Sequence, residues 1–383
     1  YDVYSVTPHN FDFIETFDFV NFKNLGRFNE GVMKTTNFTA PKHGAVIHLT
    51  MEEAERLESY WQKNKRKYVS TASIRKNPIL PGFYADPEVM YSEKTGRYYI
   101  YPTTDGIPNW GSTAFKAFSS DDLVNWKEEG VILDLKDVSW AKKNAWAPCI
   151  IEKKQADGNY KYYYYYTAEQ QIGVAVADSP TGPFIDSGKP LIDKVRPGGM
   201  SKGQNIDPDV FTDPASGKTY LYWGNYYMAV CELNEDMVSI KPNTTKILID
   251  NDAYYSEAAH VFYRNGYYYF TWSKNDTRSP EYQVRYVRAK SPVGPIDASK
   301  SEVILCKKPE QGIFGTGHHS VLPLPNKNEW RIVYHRFKFP DAVTMGRNAG
   351  FHREVCIDKL EFDENDSIIT VSYTHLRAHE TGA

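Results

Sequence analysis

Three carboxylates, each placed just before an apolar run, are the side chains of this sequence best suited to acid–base chemistry. Asp86 lies in N-P-I-L-P-G-F-Y-A-D-P-E-V, Asp207 in N-I-D-P-D-V-F and Glu257 in S-E-A-A-H-V-F. Taken singly, an Asp-Pro pair is typical of a turn that opens a strand, and a glutamate ahead of a strand is usually solvated. Three such residues at the heads of separate segments indicate a shared site instead, where one carboxyl group gives up a proton and another takes one.

The elements that must position these carboxylates are strands, because aromatic runs with alternating polarity recur along the chain. Each run follows a turn residue, and the turn residues are spaced 49 to 62 residues apart, at Gly96, Gly158, Gly217, Gly266 and Asn328. Period-2 runs bounded by turn residues predict strands, and their recurrence predicts a repeat fold with several strands in each unit. Further landmarks of an outer strand are found at 119–123, 178–183 and 290–295.

Five similar units predict an all-β fold, a five-bladed β-propeller, in which ring closure leaves no long exposed sheet edge. A β-sandwich is the alternative architecture, although it would not need five similar units. In a propeller, loops at one end of the central axis converge. Carboxylates far apart in sequence can therefore face one cavity.

Composition excludes several classes of function. The 383 residues carry a formal net charge of -3, so no basic field exists to hold nucleic acid or an anionic membrane surface. No run of about 18 apolar residues is present to span a membrane. Aromatic residues make up 15% of the chain, which suits both a β-rich fold and a protein that stacks sugar rings. The four cysteines are widely spaced, which favours buried free thiols over disulfides or a zinc site.

The two ends of the chain differ from its body. We interpret residues 1–49 as the remnant of an upstream β domain and residues 50–76 as a helical connector that a capping box opens at Thr50. The catalytic propeller is expected over 77–371. Residues 372–383 form a polar tail without an apolar face, which we interpret as non-native and leave out of the functional argument, despite its two histidines.

Several ordered motifs within 77–371 resemble glycoside hydrolase family 43, the five-bladed propeller enzymes that trim arabinose and xylose from plant polysaccharides. They are N-P-x-x-x-G-x-x-A-D-P at 77–87, W-A-P at 146–148, I-D-P at 206–208, Glu257 with the strand after it, G-T-G-H at 315–318 and the pair Arg353-Glu354. This order of motifs is specific for the family and says little about one substrate.

The resemblance implies a role for each carboxylate. Asp86 would be the general base and Glu257 the general acid, while Asp207 would orient the acid and raise its pKa. Such a trio suits inverting hydrolysis, in which two carboxyl groups roughly 6.5–9.5 Å apart flank the sugar and a water molecule, without a covalent intermediate. Asp209 is the rival for the role of Asp207, since alternate residues of a strand share a face; the family pattern favours Asp207.

The resemblance also implies residues that bind the substrate. Trp146 would form a wall of the sugar pocket, with a place in the core as the alternative. Arg353 would bind sugar hydroxyls, or else pair with Glu354 at the surface. Trp110, in the loop 105–111, would shape the leaving-group subsite or simply pack. His318 would lie on the axis, where some family members use this histidine to hold a structural calcium ion through water and others do not; both remain open here. The chemistry itself needs no cofactor.

These features predict an exo-acting enzyme that releases terminal α-L-arabinofuranose from arabinan or arabinoxylan side chains, with the polysaccharide as its partner. A β-D-xylosidase or an enzyme with both activities is the close alternative. Endo-arabinanase, exo-galactanase and a non-catalytic sugar-binding propeller are further options, although a binding protein would not need all three carboxylates. A retaining fructosidase is disfavoured because the first motif reads Ala-Asp-Pro-Glu. A polymeric substrate favours action outside the cytoplasm.

Overall fold

The computed structural model describes residues 12–15, 23–27, 50, 56 and 77–373. The chain divides into two compact units, Tyr1–Ala72 and Ser73–Ala383. In the first unit, β1 (Asp12–Glu15) pairs with β2 (Lys23–Arg27) in an antiparallel hairpin. The remainder of the predicted upstream remnant, most of the predicted connector helix and the tail beyond Tyr373 lie outside the described residues. Within the described part of the chain, no helix is long and apolar enough to cross a membrane.

Residues 77–373 form five antiparallel sheets, so the predicted five-bladed β-propeller is confirmed. Blade I contains β3 (Tyr84–Ser92), β4 (Arg97–Thr104), β5 (Ala114–Ser120) and β6 (Lys127–Asp134). Blade II contains β7 (Trp146–Lys154), β8 (Tyr160–Ala168), β9 (Gln171–Ala177) and β10 (Ile185–Asp186). Blade III contains β11 (Asp209–Thr212), β12 (Thr219–Trp223), β13 (Met228–Glu232) and β14 (Lys246–Ile249).

Blade IV contains β15 (Glu257–Arg264), β16 (Tyr267–Lys274), β17 (Gln283–Ala289) and β18 (Glu302–Leu305). Blade V contains β19 (Gly317–Pro323), β20 (Trp330–Phe337) and β21 (Arg353–Leu360). The short helix α1 (Ala342–Met345) follows β20. The 3-10 turns span 108–110, 135–137, 197–199, 298–300, 309–311 and 346–351.

The aromatic runs found in the sequence are the second strands of the blades, β4, β8, β12, β16 and β20. Their tyrosines pack between neighbouring blades and explain two of the outer landmarks. The hydroxyl of Tyr101 in blade I donates to the carbonyl of Pro180 in blade II, and that of Tyr222 in blade III donates to Pro292 in blade IV. A buried hydroxyl needs such a partner. The repeated Ser-Pro-x-Gly-Pro segment therefore supplies an acceptor for the preceding blade.

Each innermost segment carries one residue with left-handed backbone: Asp86, Ala147, Asp207, Ala258 and His318, with φ between 38° and 60°. In four blades the N–H of this residue is bound by a side chain from the second strand of the preceding blade, namely Thr103, Thr167, Ser273 or His335. In blade IV the N–H of Ala258 goes to the Asp207 carboxylate instead. The five left-handed residues therefore lie at the same end of the axis, and in blades I, II, IV and V they coincide with a bulge in the innermost strand.

Residues 77–80 close the ring by attaching to the last strand. The N–H of Ile79 donates to the carbonyl of Val355, and the side chain of Asn77 bonds the backbone of Ile357 in both directions. Leu80 is buried among Val355, Ile357 and their neighbours. The N-P-x-x-x-G motif thus joins blade I to blade V and holds Asp86 against β20.

Candidate active site

One cavity of about 430 Å³ lies at the bulged end of the axis, within the range of ligand pockets. All seven residues that the sequence singled out line it: Asp86, Trp110, Trp146, Asp207, Glu257, His318 and Arg353. The structure thus brings the predicted site residues together, while their individual roles stay predictions.

Asp86 occupies the bulge of β3 and is surrounded by nitrogen atoms. Its Oδ1 lies 3.0 Å from Nη1 of Arg353 and 3.2 Å from Nδ1 of both His318 and His335. Burial by itself raises the pKa of Asp86, but Arg353, His318 and His335 outweigh burial and hold the pKa well below its ordinary value. Asp86 is therefore ionised at neutral pH.

Arg353 is buried and held by a second carboxylate. Its Nε lies 2.8 Å from Oδ2 of Asp105, and its backbone N–H donates to the same oxygen. Arg353 does not pair with Glu354, whose Oε2 lies 3.6 Å from Arg336. Neighbouring residues of a strand point to opposite faces, which sends Arg353 into the cavity and Glu354 away from it. The surface ion pair considered from the sequence is therefore wrong.

Glu257 opens β15 and receives two hydrogen bonds. The Tyr282 hydroxyl donates to Oε1 over 2.8 Å, and the Asn225 side-chain amide donates to Oε2 over 3.0 Å. Burial raises the pKa of Glu257 to about 7; the charge of Asp86 adds to this effect, while the two donors oppose it. The carboxyl group can therefore carry its proton near neutral pH.

Asp207 lies just before β11, and its Oδ2 accepts the N–H of Ala258 over 3.1 Å. Burial raises the pKa of Asp207 well above its ordinary value, and the charges of Glu257 and Asp86 raise it further. Asp207 and Glu257 therefore titrate as a pair that retains a proton at neutral pH.

Asp209 does not share the surroundings of Asp207, contrary to the expectation from strand alternation. The left-handed backbone at residue 207 breaks the alternation. Asp207 therefore faces the cavity, while Asp209 is not among the cavity-lining residues. Asp209 accepts hydrogen bonds from Nδ1 of His260 over 2.8 Å and from the N–H of Val261 over 2.9 Å.

His318 lies between the two aspartates, with Nδ1 3.2 Å from Asp86 and 3.9 Å from Asp207. Burial lowers the pKa of His318 to about 4, so its imidazole is neutral at neutral pH. A neutral imidazole is the form that binds metal ions. His318 is not part of the cluster of metal-ligating side chains found among the described residues, which contains Glu88, Asp209 and His260.

That axial cluster offers oxygen ligands only. Nδ1 of His260 donates to Asp209, and Nε2 accepts the N–H of Val321 over 3.1 Å. Both ring nitrogens of His260 are therefore occupied. Glu88 and Asp209 supply carboxylate oxygens of the kind that calcium prefers.

Two tryptophans and an arginine close one side of the cavity. The Trp146 indole N–H donates to the carbonyl of Trp110 over 2.6 Å, and the Trp110 indole N–H donates to Gly350 over 3.1 Å. The Trp110 ring packs 4.5 Å from Phe351, and the Arg278 guanidinium lies 5.4 Å from its centroid. Loops from blades I, IV and V thus lock together here. Trp146 lines the cavity and is half-buried, so it is not solely a core residue.

Sequence reasoning missed several residues at this site. Tyr282, Asn225 and His335 contact the predicted carboxylates, and Asp105 holds Arg353. Lys274 lines the cavity, and its Nζ donates to the carbonyl of Asp252. Their signals are weak because none lies in a recognisable motif. Asp105 alone lies in a segment that the sequence had indicated, the loop 105–111 that contains Trp110.

Comparison with known proteins gives consistent matches. The sequence profile of "Glycosyl hydrolases family 43" matches residues 75–368. A β-D-galactofuranosidase of Aspergillus niger is 32% identical over 82% of this chain and 90% of its own. A xylosidase/arabinosidase of Bacteroides ovatus is 28% identical over 77% of this chain and 97% of its own. The crystal structure of an α-L-arabinofuranosidase from Clostridium thermocellum superimposes with a TM-score of 0.59, at 30% identity, over 75% of this chain and 93% of its own.

Proposed function

This chain belongs to glycosyl hydrolase family 43 and is a glycoside hydrolase, and we propose that it is an inverting exo-enzyme that releases terminal α-L-arabinofuranose from arabinan or arabinoxylan side chains. The observation that carries the proposal is the contrast within one cavity. Arg353 keeps Asp86 ionised despite its burial, whereas burial raises the pKa of Glu257 to about 7. Opposite protonation states of two carboxyl groups are what acid–base hydrolysis of a glycoside requires.

In the proposed mechanism, Asp86 takes a proton from a water molecule as that water attacks the anomeric carbon. Glu257 gives its proton to the departing glycosidic oxygen. The bond between the anomeric carbon and that oxygen breaks, and the configuration inverts because attack and departure occur on opposite faces. Arg353 stabilises Asp86 before the reaction. Because Arg353 also pairs with Asp105, its single positive charge neutralises Asp86 only in part.

We assign Asp207 to the support of Glu257. A charge on either carboxyl group raises the pKa of the other, so the pair retains the proton that the reaction needs. The hydrogen bond from Ala258 to Asp207 fixes the distance of Asp207 from the strand that carries Glu257.

Exo action is supported by the closed side of the cavity. Trp110 and Arg278 line the cavity, and Trp110 packs against Phe351, so we expect these side chains to limit extension of a polysaccharide chain in that direction. An endo-enzyme needs a groove open at both ends. The neighbouring Trp146 offers an aromatic face for the sugar ring.

The names of the relatives include furanose-cleaving and xylose-cleaving enzymes. β-D-galactofuranose has the ring configuration of α-L-arabinofuranose with one more hydroxymethyl group, so a galactofuranosidase among the relatives is consistent with an arabinofuranoside site. The xylosidase/arabinosidase relative supports a β-D-xylosidase activity as the second candidate.

A structural calcium ion is part of the proposal, and His318 is the residue that would hold it, through water. The ion would supply positive charge on the axis, and no step of hydrolysis passes through it. Dialysis against a chelator, followed by rate and thermal unfolding measurements with and without added calcium, tests this assignment. Unchanged rates and unfolding temperatures would argue against a bound ion.

The proposed function is tested by initial rates on 4-nitrophenyl glycosides of α-L-arabinofuranose, β-D-xylopyranose and β-D-galactofuranose. The arabinofuranoside is expected to give the highest kcat/KM. A higher kcat/KM on the xyloside would leave the proposed acid–base mechanism in place and make β-D-xylose the preferred sugar. If none is cleaved, a reducing-sugar assay on linear arabinan separates an endo-enzyme from a sugar-binding protein. Proton NMR of the first product then reports inversion or retention directly.

A further inference from the structure

Tyr282 is a buried tyrosine whose hydroxyl ends against the carboxyl group of Glu257. It lies in the loop between β16 and β17, has no exposed surface, and donates to Oε1 of Glu257 over 2.8 Å. The loop reads Ser-Pro-Glu-Tyr at 279–282 and carries no motif. Nothing in the roles proposed above for the three carboxylates uses this residue.

The ring of Tyr282 is closely packed. It stacks on His335, with the ring planes 3° apart and the centroids 5.6 Å apart. A Cβ at Gly317 would lie only 2.3 Å from Cδ1 and Cε1 of the ring, so the absence of a side chain there makes room for the tyrosine. This packing holds the ring where its hydroxyl reaches Glu257.

The direction of the hydrogen bonds makes Tyr282 a donor to Glu257. Ser273 Oγ accepts the N–H of His318 over 2.9 Å, and its own hydroxyl hydrogen is then available for the oxygen of Tyr282. Tyr282 in turn uses its hydrogen for Glu257. Burial, and the charge of Glu257 after it, raise the pKa of Tyr282 well above its ordinary value. The phenol therefore remains a proton-bearing donor throughout the working pH range.

We propose that Tyr282 is a positioning residue for the proton-donating carboxyl group: it fixes the orientation of Glu257 and stabilises the carboxylate that forms as the proton leaves. The proposal rests on the proposed function, in which Glu257 is the general acid. His335 extends the arrangement, because the imidazole that stacks on Tyr282 also accepts the N–H of Asp86 over 3.2 Å. The stacked rings of Tyr282 and His335 thus contact Glu257 and Asp86, the two residues proposed as acid and base.

The test is Tyr282→Phe, which keeps the stacked ring and removes only the hydroxyl. A hydrogen bond to the ionised form of an acid lowers its pKa, so its loss raises the pKa of Glu257. Since the protonated form is active, the alkaline limb of the kcat/KM profile should move to higher pH by roughly one unit. The turnover of a natural oligosaccharide, whose leaving group needs the proton, should fall roughly 10- to 100-fold.

A leaving group that needs no proton separates positioning from packing. With a 2,4-dinitrophenyl glycoside, Tyr282→Phe should retain most of the wild-type rate. The matched control is Tyr222→Phe, which also loses a buried tyrosine hydroxyl, bonded to the carbonyl of Pro292 over 2.7 Å and away from Glu257. It should match the wild type on both substrates. Equal losses on both substrates for Tyr282→Phe, with an unmoved alkaline limb, would overturn the proposal.

A second measurement does not depend on turnover. Carboxyl ¹³C NMR of glutamate-labelled protein gives the pKa of Glu257 in the wild type, Tyr282→Phe and Tyr222→Phe. A higher value in Tyr282→Phe alone supports the proposal, and one value in all three overturns it, even if no tested glycoside is cleaved and the proposed function fails. Ser273→Ala, which removes the hydroxyl behind Tyr282, should shift the same pKa in the same direction by less. Ser273→Ala replaces Tyr282→Phe in this measurement if Tyr282→Phe does not fold.

Discussion

Asp86 and Asp207 are equivalent left-handed residues of blades I and III, yet their surroundings are opposite. Asp86 meets Arg353 and two histidines, which hold its pKa well below the ordinary value despite burial. Asp207 is buried and lies near Glu257 and Asp86; burial and the charges of these two residues raise its pKa well above the ordinary value. The fold places both side chains by the same device, a left-handed residue at the start of the innermost strand.

The difference between the two residues comes from the blades beside them. Blade V supplies Arg353, His318 and His335 to Asp86. Blade IV supplies Glu257 and the N–H of Ala258 to Asp207. The repeat therefore determines where each aspartate lies, whereas the side chains of the adjacent blade determine its protonation state. This difference suits the proposed roles of Asp86 as a base and of Asp207 in retaining a proton.

The largest expected effect follows from removing either carboxyl group that we propose to be catalytic. Asp86→Asn and Glu257→Gln should each lower kcat by roughly 10³-fold or more on an oligosaccharide, since a base or an acid is lost. On a 2,4-dinitrophenyl glycoside, Glu257→Gln should lose much less than Asp86→Asn. Steady-state rates on the two substrates measure the contrast, and equal losses would contradict the assignment of acid and base.

A smaller effect is expected from Arg353→Met, which removes the cation that distinguishes Asp86 from Asp207. The pKa of Asp86 should rise, because burial then acts with less opposition. The acidic limb of the kcat/KM profile should move to higher pH, with a loss of roughly 10²-fold at neutral pH. Arg331→Met, which removes a buried arginine that pairs with Glu329, is the control. An unmoved acidic limb in Arg353→Met would show that Arg353 does not set the pKa of Asp86.

Ionisation of Glu257 should also lower the free energy of unfolding as pH rises. The pKa of Glu257 is raised to about 7 by burial in the folded state. A raised pKa gives stability that is complete below the unfolded value and is lost as pH rises through about 7. Glu257→Gln carries no such charge, so between pH 5 and pH 8 it should lose roughly 2–3 kcal/mol less unfolding free energy than the wild type. Urea unfolding at both pH values measures this difference, and parallel pH dependence would contradict it.

The smallest catalytic effect is expected at Asp209, the rival of Asp207. Asp209→Asn should change kcat/KM by less than about 3-fold, because Asp209 bonds His260 and Val261 outside the cavity. It should lower stability by about 1–2 kcal/mol, since one of two buried donors loses its acceptor. Asp207→Asn should instead alter the pH profile of kcat. If Asp209→Asn had the larger kinetic effect, the distinction between these two residues would be wrong.

Much of the architecture could be predicted from the chain because it repeats. The aromatic second strands and the Ser-Pro-x-Gly-Pro segments recur with recognisable composition, and they proved to contact each other through Tyr101 and Pro180 and through Tyr222 and Pro292. The three carboxylates could be found because they recur at the heads of separate segments and lie in motifs that resemble those of the family. The four cysteines are free as expected, and three of them are buried.

The bulges and the supporting residues could not be predicted, for a physical reason. Left-handed backbone is usually signalled by glycine or asparagine, yet two of these residues are alanines, Ala147 and Ala258, whose N–H groups donate to side chains of other blades. Tyr282 and Asn225 reach Glu257 from loops whose course depends on tertiary packing. The wrong face assigned to Asp209 has the same origin, because an unseen left-handed residue resets the alternation of a strand.

The central claim is that one cavity holds an ionised and a protonated carboxyl group side by side, and site-resolved titration tests it most directly. Carboxyl ¹³C NMR of the wild type, labelled at aspartate and glutamate and assigned with Asp86→Asn and Glu257→Gln, follows both groups between pH 4 and 9. The account predicts that Asp86 stays ionised over the whole range while Glu257 loses its proton near pH 7. A Glu257 already ionised at pH 5, or an Asp86 that titrates above Glu257, would contradict it.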